Sequence, residues 1–266
     1  MLSNAIIDLD SIIYAAFHPN KILDSKGIPR RTEDNSKFLY KEKSVKEVLD
    51  SCDFLMNDIL TKSKATHYIA FYKGEDTIKS KLAINPEYKQ DRSKESPKYW
   101  NICKEYLKLE WKAVEVNDIE TDDAVRITNL AVKDSFICAI DSDLLGLSGS
   151  HYNWRTNLWF ANTKEQEDKA FWSSMITGTH NNAKGIPGKG IVYAKKLLEL
   201  KHHFYDSKSL VLDEYIYHFG EYEGVKEFYK NYISVKLLEK LDGFVIPNLI
   251  EVSKKQKIGR ETSTEW

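Results

Sequence analysis

The stretch Val114-Glu-Val-Asn-Asp-Ile-Glu-Thr-Asp-Asp-Ala-Val125, followed by Phe136-Ile-Cys-Ala-Ile-Asp-Ser-Asp-Leu-Leu145, decides how this chain folds. Ala124, Val125, Ile127, Leu130 and Ala131 recur at helical spacing, and Thr121 or Asp122 can cap the helix they predict. Residues 136–140 form a short continuous apolar run, the pattern of a strand buried on both faces in a parallel sheet. Asp141 and Asp143 then stand at that strand's C-terminal end, the edge where open α/β sheets bind ligands. Acids in a first helical turn are ordinarily there for the helix dipole, and that alone accounts for Asp122 and Asp123. Acids closing a buried strand have no such explanation. Taken together, Glu120, Asp122, Asp123, Asp141 and Asp143 are aimed at one place. A divalent cation is the simplest neutraliser, because Mg²⁺ takes oxygen ligands.

The same alternation extends outward. Asn4-Ala-Ile-Ile-Asp-Leu9 reads as a first buried strand ending at Asp8, with Asp10 just beyond and a helix through Ile12, Ile13, Ala15, Ala16 and Phe17. Residues 19–43 are polar and contain Pro19, Gly27 and Pro29, which predicts a loop or extended excursion. Val45, Val48, Leu49, Cys52, Leu55, Met56 and Ile59 predict a helix, with Asp50, Asp53 and Asp58 on its solvated face. Tyr68-Ile-Ala-Phe-Tyr72 is the next strand, so strand–helix–strand alternation predicts an α/β fold with a mostly parallel sheet. Residues 100–109 read as helix and 111–116 as strand. Residues 151–172 read as strands and a helix, with Tyr152, Trp154, Leu158, Trp159 and Phe160 in the core. The remainder to Leu249 reads as helices packed through Phe228, Tyr229, Ile233 and Leu237, before a polar tail from Lys254.

Two segments have the chemistry of phosphate contact. Residues 73–100 interleave Lys79, Lys81, Lys89, Arg92, Lys94 and Lys98 with Tyr88, Tyr99 and Trp100, which suits backbone contact plus base stacking. Gly185-Ile-Pro-Gly-Lys-Gly-Ile191 opens a helix carrying Lys195 and Lys196, so Gly185, Gly188 and Gly190 present backbone N–H groups and Lys189 a charge to phosphates. No Gly-Lys-[Ser/Thr] follows, which argues against a Walker A loop. His202 and His203 read as surface residues.

The balance of 39 basic and 40 acidic residues hides this segregation of charge. No apolar run approaches the roughly 18–20 residues that span a bilayer, and no signal peptide precedes the first strand. Cys52, Cys103 and Cys138 lack metal-ligand spacing and read as reduced structural thiols of a cytoplasmic protein.

The order Ile6-Ile-Asp8, Pro86-Glu-Tyr-Lys-Gln-Asp-Arg92, Ile119-Glu-Thr-Asp-Asp123 and Ile140-Asp-Ser-Asp143 resembles the phage and bacterial 5′-nuclease family, which includes 5′→3′ exonucleases and flap endonucleases. The likeness runs from Met1 to about Leu198. It implies a three-layer PIN-like nuclease domain over residues 1–174, with a basic arch around 73–110. It also implies a helical DNA-binding region of helix–hairpin–helix type over 175–266. Asp8, Glu120, Asp122, Asp123, Asp141 and Asp143 match the family's metal-binding acids. Tyr88, Lys89 and Arg92 match the base of its arch, beside which a single strand passes, with Lys94 further along. One or two Mg²⁺ or Mn²⁺ ions, and K⁺ at the Gly185–Gly190 hairpin, are the implied cofactors.

Two departures stand out. The family closes its second strand with Asp, whereas this strand closes with Tyr72, and a shifted alignment brings Glu75 to the site. Where the family writes Gly-Asp-x-x-Asp-Asn-Ile-Pro-Gly, this chain has His180-Asn-Asn-Ala-Lys-Gly-Ile-Pro-Gly188. Anchored on Ile186, Asn181 and Lys184 replace the two acids; anchored on Gly178, Thr179 and Asn182 do. Either Asn offers only a neutral oxygen to a second ion.

The expected function is metal-dependent hydrolysis of DNA near 5′ ends, flaps or branched junctions, in phage DNA replication, repair or recombination, by a monomer that needs no membrane. The rival readings are a PIN-like ribonuclease and a DNA-structure-binding protein whose catalysis is weak because the second metal site is depleted.

Overall fold

The computed structural model of this chain describes residues 2–33, 35–90, 96–179, 182–199 and 206–253. Its first half comprises β1 (Asn4–Asp8), α1 (Leu9–Ala16), β2 (Asn20–Lys21), β3 (Tyr40–Lys41), α2 (Val45–Lys62), β4 (His67–Lys73), α3 (Lys79–Ile84), α4 (Trp100–Glu110), β5 (Val114–Val116), α5 (Thr121–Ala131) and β6 (Ser135–Ala139). Then follow α6 (Ser142–Leu145), β7 (Gly149–Asn153), β8 (Leu158–Asn162), α7 (Lys164–Thr177), α8 (Ile191–Glu199), α9 (Ser207–Phe219), α10 (Glu221–Val235) and β9 (Ile250–Glu251).

The central sheet runs β5-β4-β1-β6-β7-β8, and β9 pairs antiparallel with the start of β4. The pairs from β5 through β7 are parallel, and β8 returns antiparallel on β7. The period-two alternation of each strand divides its side chains between two cores. Ala5, Ile7, Tyr68, Ala70, Tyr72, Phe136 and Cys138 pack under α1, α2 and α4, while Ile6, Ile69, Phe71, Ile137 and Ala139 pack under α5. Both faces are therefore covered, and this is why β1, β4 and β6 read as unbroken apolar runs. A third cluster joins Met175 and Ile176 of α7 to Ile186, Ala194, Val211, Tyr215 and Phe228.

Strand order reverses between β1, which leads to β4 on one side, and β6 on the other. The C-terminal edge there is the crevice where such sheets bind ligands. Asp8 and Asp141 close β1 and the β6 segment, and each caps the following helix by accepting a backbone N–H two residues on, from Asp10 at 3.1 Å and Asp143 at 2.8 Å.

Several expectations are corrected. The cap of α5 is Glu120, without a side-chain cap bond, and neither Thr121 nor Asp122 fills that place. Leu158, Trp159 and Phe160 are exposed, because β8 is an antiparallel edge strand outside the covered faces; only Tyr152 and Trp154 of that aromatic set are buried. Tyr229 is exposed, and helix ends at Val235, well before Leu249. Asp53 accepts from the Tyr106 hydroxyl at 2.6 Å and the Trp111 indole at 2.8 Å, and so ties α2 to α4 instead of facing water alone. The three cysteines are buried free thiols.

The far side of α5 is held by a buried ion pair. Arg126, 2% exposed, donates to both oxygens of Glu167 at 3.1 and 2.9 Å, and the Ser148 N–H donates to Glu167 as well. Burial alone would raise the Glu167 carboxyl, but Ser148, the Lys164 ammonium at 2.9 Å and Arg126 together hold it to about 2. Glu167→Ala takes the main partner from a buried guanidinium, leaving it Glu239 at 3.9 Å and the Ser148 carbonyl; fully breaking such a pair ordinarily costs about 3–5 kcal/mol. Urea unfolding should show a loss of that order, and the double change Arg126→Met with Glu167→Met a clearly smaller one.

Candidate active site

The C-terminal edge of β1, β4 and β6 opens into a cavity of about 920 Å³. Its acidic wall is built from three elements: Asp8 and Asp10 around the start of α1, Glu120 and Asp122 around the start of α5, and Asp141 after β6. Tyr88 and Lys89 from the segment after β4 form the opposing wall. Tyr14 and Trp100, tilted against each other with ring centroids 5.0 Å apart, also line it.

Charge divides this wall into unlike halves. Glu120 is clamped by three donors: the Lys81 ammonium at 2.5 Å, the Tyr88 hydroxyl at 2.7 Å and the Lys89 ammonium. Burial would raise its carboxyl, but Lys81 and Lys89 outweigh that and hold it to about 2, so it stays ionised. Among the described residues the other half has no such clamp: Lys73 and Lys104 pull on Asp10, and Lys89 on Asp122, but more weakly than burial pushes. Burial, then the neighbouring Asp10, with Asp141 adding to them, pushes the Asp8 carboxyl up to about 7. Burial also raises Asp10. Asp122 is driven well above the carboxylate range by burial and by the charges of Asp8, Asp141 and Glu120. Removing charge from water without a partner is costly, so these groups hold protons or call for a cation.

Among the described residues no three acidic, histidine or cysteine side chains already converge as a finished coordination shell. The donor chemistry nonetheless fits a hard divalent ion: carboxylate oxygens from three elements share one cavity, and the like charges of their neighbours with burial outweigh the pull of Lys73, Lys89 and Lys104. Mg²⁺ usually keeps several waters and needs only one or two carboxylates, so a finished protein cage is not required.

The remaining expected site residues fall elsewhere. Asp123, 1% exposed, is absent from the cavity wall; it accepts the Leu238 N–H at 2.8 Å and lies 3.7 Å from Lys81. Lys81 itself, counted by sequence among the phosphate-contacting lysines, is buried and spent on these two acids. Glu75 is exposed, does not line the cavity and uses its backbone on Asn117 and Asp118. Tyr72 turns into the core beneath α1, α2 and α4. The acid that does reach the floor beside β4 is Asp10, which sequence reading noticed and did not nominate. Its only signal was a place two residues past Asp8.

Asp143 is exposed and accepts from the Asn182 amide at 3.1 Å. Asn182 thus meets Asp143, while Lys184 reaches Glu87 at 2.5 Å. Gly185 adopts φ +66°, and a Cβ there would meet the Gly178 nitrogen at 2.2 Å, so only glycine fits this turn. Gly188 also has positive φ, in open space, and Gly190 is likewise open. Lys189 pairs with Glu214 at 3.2 Å and lies over the Tyr193 ring, whereas Lys195 and Lys196 are exposed on α8. Arg92, Lys94, Asn181, His202 and His203 lie outside the described residues.

With this geometry in hand, the fold has clear counterparts among solved structures. A bacteriophage T5 D15 flap endonuclease, in a pseudo-enzyme-product complex with DNA and metal ions, matches over 88% of each chain at 16% identity and TM-score 0.59. The T5 D15 protein co-crystallised with metal ions matches over 88% of this chain and 89% of its own at 15% identity and TM-score 0.62. The catalytic core of Rad2 in complex with DNA substrate matches over 86% and 71% at 12% identity and TM-score 0.50. No protein-family model and no curated protein sequence matches the chain.

The raised carboxyls make a stability test. Unfolded, Asp8 loses its proton near 3.8; folded, it keeps it to about 7, so between these values the folded state binds more protons and stability falls as pH rises. Glu120 acts oppositely, but its contribution is complete above its ordinary 4.5 and is lost only as pH falls towards 2. In chelator, thermal or urea unfolding should therefore show declining stability from pH 5 to pH 7.5. Asp8→Asn should flatten that slope.

Proposed function

We propose, from a chain whose fold is that of the T5 and Rad2 nucleases, that this protein is a divalent-metal-dependent 5′-nuclease. It hydrolyses DNA phosphodiester bonds near 5′ ends, flaps or branched junctions, as a monomer in the cytoplasm serving phage replication, repair or recombination. The observation that carries this is the single cavity in which Asp8, Asp122 and Asp141, from three separate elements, face Tyr88 and Lys89. A divalent ion bound among such carboxylates, Mg²⁺ or Mn²⁺, supplies charge neutralisation and an activated water. The chain's own groups do the rest. Lys89, now on Glu120, is placed to move to a phosphate oxygen and stabilise charge that develops as the bond breaks. Tyr88 keeps Glu120 in position through its hydroxyl. Tyr14, exposed at the cavity, offers an aromatic face on which a base stacks, while Trp100, expected from sequence to stack on bases, is buried in the core behind it.

Residues 175–266 form, on this reading, the region that grips duplex. The Gly185–Gly190 hairpin offers backbone donors and a K⁺ site, and Lys195 and Lys196 offer charge. One observation favours the weaker-catalyst reading beside this one. Asp123 is committed to Lys81 and Leu238, so Asp143 with Asn182 remains as the pair for a second ion. Turnover compared with binding on one flap substrate separates the two readings.

Asp141→Asn keeps the volume and the helix cap while removing a charge, so folding should survive and cleavage should fall by orders of magnitude. Near-normal cleavage across a metal titration would sink the assignment. Lys89→Ala should lower the single-turnover rate by about 100-fold or more with little loss of duplex affinity. Lys196→Ala should instead weaken binding and reduce the log–log salt slope by about one unit. Equal effects of the two on single-turnover rate at saturating protein would refute that division of labour.

A further inference from the structure

We propose that Asp10 is a direct ligand of the divalent ion, supplying from α1 the carboxylate that β4 does not carry. This rests on the metal-dependent reading above. Asp10 lies at the meeting point of three elements. Its Oδ1 accepts the backbone N–H of Lys73, the last residue of β4, at 3.0 Å, and its Oδ2 accepts the Thr121 hydroxyl, at the start of α5, at 2.9 Å. The carboxylate is thereby fixed in orientation on the cavity wall that also holds Asp8, Asp122 and Asp141.

Both of its donors are neutral. Lys73 and Lys104 act on it from further off, but among the described residues no ammonium or guanidinium comes within ion-pair distance, in contrast to Asp123, which has Lys81 at 3.7 Å. One hydrogen bond on each oxygen leaves each a further lone pair, so a cation can be bound without breaking either strap. Hydrogen bonds that orient a ligating carboxylate are the usual support of a metal ligand. β4 itself has no acid to offer: Phe71 stands opposite Asp8, Tyr72 is buried in the core and Lys73 follows. The bland alternative is that Asp10 only straps β4 to α5. An asparagine would serve that purpose equally, its oxygen accepting from Lys73 and its amide donating to the Thr121 oxygen. That isosteric change separates the two roles.

The experiment uses the full chain and Tb³⁺ alone as a luminescent probe of the ion site. Affinity is taken from titration, and inner-sphere water from lifetimes in H₂O and D₂O, for wild type, Asp10→Asn and Asp141→Asn. Asp10→Asn should keep wild-type circular dichroism, bind Tb³⁺ about tenfold or more weakly, and show additional inner-sphere water where the ligand was lost. Weaker binding with unchanged hydration would mean that Asp10 acts only as a nearby charge, and the proposal falls. Unchanged affinity in Asp10→Asn with weakened binding in Asp141→Asn would leave the metal reading standing and overturn Asp10 as a ligand. No uptake by wild type would overturn both. Should Asp10→Asn fail to fold, Thr121→Val keeps the charge but frees Oδ2. A severalfold loss of affinity then supports the ligand role, and an unaltered titration refutes it.

Discussion

Like charge crowded at one edge of a parallel sheet is the constraint on which this structure turns. Asp8 and Asp141 are placed there by the strands they close, and Asp10, Glu120 and Asp122 by the helices that begin beside them. No helix dipole or cap can neutralise that many carboxylates, since each such contribution is worth at most about 1–2 kcal/mol. The protein settles half of the problem with its own cations. Lys81 and Lys89 come from the segment after β4 and keep Glu120 charged. The other half stays unsettled, and the raised carboxyls of Asp8 and Asp122 are its signature. A site so divided is held in shape by its own cations on one half and keeps raised, buried carboxyls on the other.

The same clamp explains how the segment after β4 is held. Lys81 leaves α3 to reach α5, Tyr88 and Lys89 follow it onto Glu120, and Asn85 donates to Ser234 of α10 at 2.9 Å. Leu238 meanwhile donates its N–H to Asp123. The segment after β4 and the chain beyond α10 therefore meet on the two acids at the start of α5. These buried contacts outweigh the Lys184–Glu87 bridge, whose side chains are mostly exposed and whose worth is about 0–1 kcal/mol. Breaking the Lys81 side of the clamp would leave buried charge unpaired, the costly way to lose an ion pair.

What could be read from sequence follows from what periodicity encodes. β1, β4 and β6 were legible because strands covered on both faces are apolar throughout, and α5 because its stripe is regular. β8 was misjudged because apolar content marks an edge strand as readily as a central one; Trp159 and Phe160 instead lie against Phe136 and His151 from the open side. Asp8, Asp122 and Asp141 were legible as strand-end and helix-start acids. Lys81 was not, since composition counts a buried lysine like a solvated one. Asp10 was hidden by its neighbour, and Glu75 attracted notice only because an acid was sought near β4.

The glycine hairpin shows a subtler division. Gly185 is needed for close packing: its neighbour Ile186 fills the helical core, and its N–H donates to Asn231 of α10 at 3.1 Å. That donor is spent inside the protein and is not offered outward. Gly188 and Gly190 face open space and keep their freedom for whatever approaches. Lys189 is half-committed to Glu214, so among the described residues the exposed charge of α8 belongs to Lys195 and Lys196, one turn in. Glycines in one short motif thus split between holding the turn together and leaving its outer edge bare, and only the second set can serve a ligand.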